Sequence, residues 1–313
     1  MKLTRIAGSA LLGVGALAAV NAGLRHDGEL EPPLDGDDGV FRWRGLDVAY
    51  TEAGDPSDPD LVLLHGISAA GSAGEWRAVF DGLAAEFHVI APDFPGYGRS
   101  DRPPLRYSAA LYVDFVRDFL ADFDSPSVVA SSLSAAYAAE AAADDDVSIA
   151  GFVGVCPTAV AGPTPPKPWL QGLLRAPVVG LALFNLVASK PSLRRFNADY
   201  SYDDPAAPSA EWTDYEWRTA HAEHARFAPA AFVSGFLNAD VDLPAALAAL
   251  DVPPTIVWGR EATVTPLADG RELAAAADAR LVVFDRAKLL PHVEHPERFV
   301  ETVEETLVAG ATA

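Results

Sequence analysis

Cysteine is almost absent. Cys156 is the only one in 313 residues, so no intrachain disulfide can form and no thiolate cluster can hold zinc or an iron–sulfur centre. No metal or other cofactor is expected. Lysine is nearly as scarce: Lys2, Lys167, Lys190 and Lys288 are the whole supply, and arginine provides the rest of 23 positive residues against 44 acids. The formal net charge of -21 and an isoelectric point near 4.5 would repel a phosphate backbone, which excludes nucleic acid as a partner.

With half of its residues hydrophobic and 21% charged, the chain has a globular composition and length enough for one large or two ordinary domains. Its acidity, with more Asp than Glu and few lysines, resembles that of proteins from extreme halophiles; the alternative is an ordinary acidic protein. At low salt such charges repel one another and oppose the compact state.

Residues 1–25 read as a hydrophobic signal or membrane anchor. Lys2 and Arg5 precede an uncharged run from Ile6 to Leu24, which as a helix would rise about 28 Å at roughly 1.5 Å per residue, close to the hydrocarbon thickness of a bilayer. Val20-Asn21-Ala22 also offers a small-residue cleavage site, so an uncleaved anchor, a cleaved signal and a soluble N-terminal helix all remain open. Positive-inside logic places the folded body outside the cytoplasm, membrane-anchored or exported, with a cytoplasmic protein as the alternative. Residues 26–39, with Pro32-Pro33, read as a linker.

From residue 40, strand-like and helical runs alternate. Phe41–Arg44 and Leu46–Thr51 form a hairpin around Gly45; Leu61–Leu64, His88–Ala91, Ser127–Ala130, Ile149–Val155, Thr255–Trp258 and Leu281–Phe284 are short apolar strands. Helices are predicted over about Glu75–Phe87, Leu111–Phe123 and from Ala135. Apolar strands alternating with helices mean a parallel sheet covered on both faces. The alternation stops over 158–243, where helix-like, aromatic-rich segments suggest an inserted cap between two parts of one core, 40–157 and 244–313.

The order His65-Gly66 after a strand, Asp93-Phe94-Pro95-Gly96-Tyr97-Gly98-Arg99-Ser100 after the next, a small-residue turn at Ser132, the cap, then Trp258-Gly259 and Pro291-His292-Val293-Glu294-His295-Pro296 resembles the α/β-hydrolase superfamily. The resemblance implies an α/β-hydrolase fold: a mostly parallel, eight-stranded-type sheet with helices on both faces and a helical cap over the carboxyl ends of the strands. It also implies a nucleophile on a strained strand-to-helix turn, a His base and an acid that orients it. The nucleophile position is Ser132, within Ala130-Ser131-Ser132-Leu133-Ser134, where small residues replace the usual flanking glycines. The oxyanion hole would be the amides of Ile67 and Leu133. Ser131 and Ser134 read as packing residues and His65 as a turn-stabiliser.

The rest of the triad departs from the family's pattern. The acid position is Ala262 and the base position is Leu289. Glu261 is a neighbouring candidate acid, and His292, one helical turn away, a candidate base. His221 and His224, three apart, could carry a base or a metal from the cap, although solvated or core histidines are the blander reading; Cys156 reads as a buried hydrophobe, and Tyr97 lies near the expected mouth. A serine hydroxyl without an adjacent base is a weak nucleophile. Two functions therefore compete: a serine-type hydrolase of small or apolar esters, thioesters or lactones using Ser132 and a non-standard base, and a non-catalytic member that binds an apolar ligand or a protein partner at the membrane. The expected partners are a small apolar substrate or ligand and, through the N-terminal segment, a membrane.

The charge carries its own prediction. The midpoint of thermal unfolding should rise between dilute buffer and molar salt, and a midpoint that stays constant would refute the halophilic reading.

Overall fold

The computed structural model describes residues 14–144 and 146–310. The first part of the apolar N-terminal run therefore lies outside the described residues. Its continuation is helix α1 (Val14–Leu24). The following residues are not free linker: the His26 amide donates to the His221 carbonyl at 2.9 Å and Leu34 is buried.

Eight strands form one sheet in the order β1-β2-β4-β3-β5-β6-β7-β8. The strands are β1 (Asp37–Trp43), β2 (Leu46–Ala53), β3 (Asp60–Leu64), β4 (His88–Pro92), β5 (Ser127–Ser131), β6 (Gly151–Val155), β7 (Thr255–Gly259) and β8 (Arg280–Phe284). Strand β2 pairs antiparallel with both neighbours, and every other pairing is parallel. The sheet is the one expected, except that the first hairpin begins earlier: Asp37 already pairs with Glu52. Its two-residue turn, Arg44-Gly45, has φ of 50° and 84°, the doubly positive geometry that matches strand twist.

Side chains alternate across each strand and fill two cores. Val62, Leu64, Val128 and Ala130 face one layer with Phe115, Phe119 and Ala136, whereas Leu61, Leu63 and Val129 face the other with Trp76, Phe80 and Phe299. Each of the larger side chains among these contributes about 1.5–3 kcal/mol on burial, so a slip of one residue in any strand would exchange the two cores and is excluded. The first layer comprises α3 (Ala109–Leu120), α4 (Leu133–Ala141), α10 (Leu243–Ala248) and α11 (Leu267–Ala277); the second comprises α2 (Phe80–Leu83) and α13 (Pro296–Gly310).

One helix differs from expectation. The apolar spacing predicts a helix over Glu75–Phe87, but the chain forms a 3-10 turn at Ala73–Trp76 and then the short α2. Gly74 and Gly82 each weaken a helix by about 1 kcal/mol, and the break leaves Glu75 turned toward the Gly66 amide.

The inserted helices are α5 (Pro168–Arg175), α6 (Val179–Val187), α7 (Lys190–Phe196), a π-turn at Asn197–Ser201, α8 (Ala210–His221) and α9 (Phe227–Val233). The two ends of this excursion are tied together. Asn238 Oδ1 accepts from the Ala161 and Gly162 amides at 3.1 and 2.9 Å, its Nδ2 donates to the Gly162 carbonyl, and the Ala239 amide donates to the Ala159 carbonyl. Asn238→Ala would strand two amides and should reduce stability by about 1–3 kcal/mol in urea unfolding; a loss below about 0.5 kcal/mol would show that water replaces the clamp.

Candidate active site

Strand β5 is buried along its whole length and passes directly into α4 through Ser132. Ser132 has φ 56° and ψ -125°, a conformation that a residue with a Cβ adopts only when its surroundings over-determine it. Here they do. The Ser132 amide donates to the Val155 carbonyl at 2.9 Å, the Ser132 carbonyl accepts from Ala135 and Thr158, and Ser134 Oγ donates to the His65 carbonyl at 2.6 Å.

His65 holds the neighbouring turn. The Phe94 amide donates to Nε2 at 3.1 Å, which leaves the proton on Nδ1 for the Gly66 carbonyl at 2.8 Å. Burial keeps the ring neutral by lowering its pKa. The turn presents Ile67 to a cavity, while Leu133 opens α4 immediately after Ser132. Neither amide has a protein acceptor among the described residues, so both stand available as oxyanion donors.

The cavity, of about 250 Å³, is lined by Ser131 and Ser132 at its floor and by Leu193, Phe196, Phe232, Leu289 and Leu290 around its walls. Ser132 Oγ makes no hydrogen bond among the described residues. Leu289 places an alkyl group in the lining, and Ala262, at the acid position, is buried but is not part of the cavity wall.

The substitute acid and base suggested by sequence are both elsewhere. Glu261 lies outside the cavity and accepts the Ala287 amide at 3.0 Å, while its neighbour Arg260 pairs with Asp285. His292 is completely buried, packed on Trp76 with ring centroids 4.6 Å apart and the rings tilted by 36°, and its Nε2 stands 3.6 Å from Glu75 Oε1 rather than in the cavity with Ser132. Desolvation lowers its pKa to about 3, with the Arg77 charge acting in the same direction. His221 stacks on Trp217 and gives Nδ1 to that residue's carbonyl. With His224 it borders a different hollow, next to Asn21 and Arg25. Among the described residues no group of three potential ligands could hold a metal ion. Cys156 touches the cavity, but burial pushes its thiol up to about 12, leaving it protonated and inert. Tyr97 is buried outside the lining.

Sequence reasoning missed two carboxyls that the fold brings to this cavity. Glu75 lies on the 3-10 turn; its Oε2 accepts the Gly66 amide at 2.9 Å and it sits beside the Ser131 hydroxyl. Burial raises its pKa, while hydrogen bonds from Ser131 and Gly66 and the charge of Arg77 oppose the rise. Glu216 reaches in from α8, accepts from Asn197 Nδ2 at 2.9 Å, and is raised to about 7, again chiefly by burial. Arg77, stacked 3.7 Å over the Trp212 ring, also lines the cavity. The available signals were an acid inside the otherwise apolar Ala73-Gly74-Glu75-Trp76 and the four-residue spacing of Trp212 and Glu216 on one helical face.

A model of the alpha/beta hydrolase family matches residues 61–302. The chain belongs to that family. Among curated proteins, an uncharacterized protein of Mycobacterium bovis is 40% identical over 91 residues, covering 28% of this chain and 26% of its own length, so the chain spans about a quarter of the first curated relatives it matches. A pimeloyl-[acyl-carrier protein] methyl ester esterase of Aeromonas hydrophila is 29% identical over 254 residues, covering 79% of this chain and 94% of that one. Among solved structures, 2-hydroxy-6-oxo-6-phenylhexa-2,4-dienoate hydrolase from a Rhodococcus strain superposes with a TM-score of 0.70 at 22% identity, over 86% of this chain and 99% of that one. This last likeness concerns the fold.

The buried pair behind the cavity gives a signed pH dependence. His292, whose pKa falls from its ordinary 6.5 to about 3, stays neutral in the native state while the unfolded chain takes up a proton, so stability is lost as pH falls from 6.5 toward 3. Glu75, raised from 4.5, acts in the opposite sense: its contribution is intact below 4.5 and is lost as pH rises through the raised value. At about 1.4 kcal/mol per pH unit, His292→Phe should reduce the drop in unfolding free energy between pH 6.5 and pH 5 by roughly 2 kcal/mol. Parallel curves for the two proteins would show that His292 titrates normally.

Proposed function

We propose that this member of the family is a serine-type hydrolase of small or apolar esters, thioesters or lactones, with Ser132 as nucleophile and Glu75 as the replacement base. The observation that carries the reading is the strained backbone at Ser132, kept together with two free amides at a mostly apolar cavity. Strain of this kind costs about 1–3 kcal/mol and clusters at active sites.

In this reading Ser132 Oγ attacks the carbonyl carbon, and the Ile67 and Leu133 amides receive the developing oxyanion, each contributing about 2.7–4 kcal/mol. The serine proton passes to the carboxylate of Glu75, which shares the cavity, and returns to the leaving group; water then releases the acyl enzyme. The raised pKa of Glu75 makes it a better proton acceptor, once ionised, than an exposed carboxylate. Leu193, Phe196, Phe232 and Leu290 would take an apolar acyl or alcohol group.

A second reading, a non-catalytic protein that binds an apolar ligand, is favoured by the alkyl side chain of Leu289 in the cavity wall and by the unpaired Ser132 hydroxyl. Fluorophosphonate labelling of the full chain in molar salt separates them. Labelling should fall on Ser132, vanish in Ser132→Ala, slow at least about tenfold in Glu75→Gln, and accelerate as pH rises through the Glu75 pKa. An unchanged rate in Glu75→Gln removes Glu75 as base. A folded protein that stays unlabelled supports the ligand-binding reading.

A further inference from the structure

The acids are distributed unevenly. From Val147 to Ala198 there is no Asp or Glu, although the chain carries 44 in 313 residues, and the same stretch holds Lys167, Arg175, Lys190, Arg194 and Arg195. This basic stretch contains the outer helices of the cap. Trp169 and Leu173 on α5 and Val179, Leu183, Leu186 and Val187 on α6 are exposed, Trp169 to 67% and Leu186 to 68%. On α6 their spacing of four, three and one places them on a single face. Lys167 is exposed just before α5, and Arg194 and Arg195, the latter paired with Asp199 at 3.3 Å, are exposed in the last turn of α7.

Two further features adjoin this face. Val187, Phe196 and Val233 are exposed and also line the cavity of Ser132, so the cavity mouth opens there. Helix α1, with Val14 and Val20 exposed, is fixed to α6: Asn21 Nδ2 donates to the Val178 carbonyl at 2.8 Å, and Asn185 Nδ2 donates to Asn21 Oδ1 at 3.2 Å. The apolar N-terminal helix and the exposed face of α6 are thus neighbours.

We propose that the α5–α6 face of the cap docks on an anionic lipid bilayer, with α1 beside it and the mouth of the cavity against the lipid. Among the described residues no single helix is long and apolar enough to cross a membrane, and α5 and α6 meet at 99°. Both lie in the interface plane with their apolar side chains inserted and their basic side chains at the headgroups. The lack of carboxylates is the selective feature, because an acid pressed against lipid must be dehydrated whatever the salt concentration. An apolar substrate would then reach Ser132 from the bilayer, although the docking itself requires no catalysis.

The test uses the full chain with Cys156→Ala and an environment-sensitive fluorophore on Leu186→Cys, with Val40→Cys on the sheet edge as control, mixed with phosphatidylglycerol vesicles at the lowest salt that preserves the fold. The proposal expects flotation with the vesicles, a blue shift at position 186 and none at position 40. Joint Lys167→Glu, Arg194→Glu and Arg195→Glu substitution, with the fold verified by circular dichroism, should weaken vesicle partitioning at least about tenfold. Flotation without a shift at 186 would leave α1 as the sole attachment and overturn the proposal. So would failure to float, unchanged partitioning after charge reversal, or a shift without vesicles accompanied by a doubled mass, which would identify a second copy as the occupant.

Discussion

A backbone φ of 56° at Ser132 can be held only by a rigid frame, and much of the surrounding structure serves that constraint. Strand β5 is central and buried, so its carboxyl end cannot drift. The Val155 carbonyl from the adjacent strand takes the Ser132 amide, and Ser134 joins the first turn of α4 to the loop that follows β3. Ala130 and Ser134 are small enough to stand where glycine is usual, and Ser134 adds a hydrogen bond that glycine could not make. The elbow geometry therefore survives its altered sequence, with the Ser132 hydroxyl at the cavity and the Ile67 and Leu133 amides without protein acceptors among the described residues.

In the proposed mechanism the chemistry around that elbow is redistributed rather than simply lost. Leu289 removes the imidazole position, while the later part of the motif remains as scaffold: His292 packs on Trp76, and Glu294 accepts the Asp203, Asp204 and Lys288 amides, joining the last loop to the cap. Histidine in such a dry site is held neutral, which suits it to packing behind Glu75 and unsuits it to receive a proton from a serine. Glu75, by contrast, reaches the cavity and keeps hydrogen-bond partners there. A base of this kind lacks the orienting acid of a full triad, and in the proposed mechanism the turnover would be correspondingly slow.

The fold was legible because parallel strands buried on both faces are written as short apolar runs, and Leu61–Leu64, Ser127–Ser131 and Thr255–Gly259 are such runs. The turn at Ser132 was legible as a junction between strand and helix, and Ile67 and Leu133 entered through the family resemblance. The proposed base was not, because proximity in sequence does not decide which way a loop residue faces: Glu261 is one residue from the acid position yet is spent on the Ala287 amide. Glu75 was hidden by the apparent helix over Glu75–Phe87, which would have treated it as one solvated charge at a helix start. Its role depends on the break at the 3-10 turn and on the Gly66 amide nine residues earlier, a contact without periodicity to announce it.

The net charge of -21 conceals two surfaces with opposite requirements. Where water must be retained, carboxylates are dense, and their hydration is favourable at any ionic strength. On the cap, the same density would hold water against the apolar side chains of α5 and α6 and oppose any contact that excludes it. Screening in concentrated salt shortens electrostatic attraction to a few ångströms, but it does not relieve the dehydration of a carboxylate. Solubility in salt and docking on lipid, where both are required, would therefore act on the same residue type in opposite directions. The region without a single acid between Val147 and Ala198 is the pattern that such a conflict would leave in the sequence if the proposed docking holds.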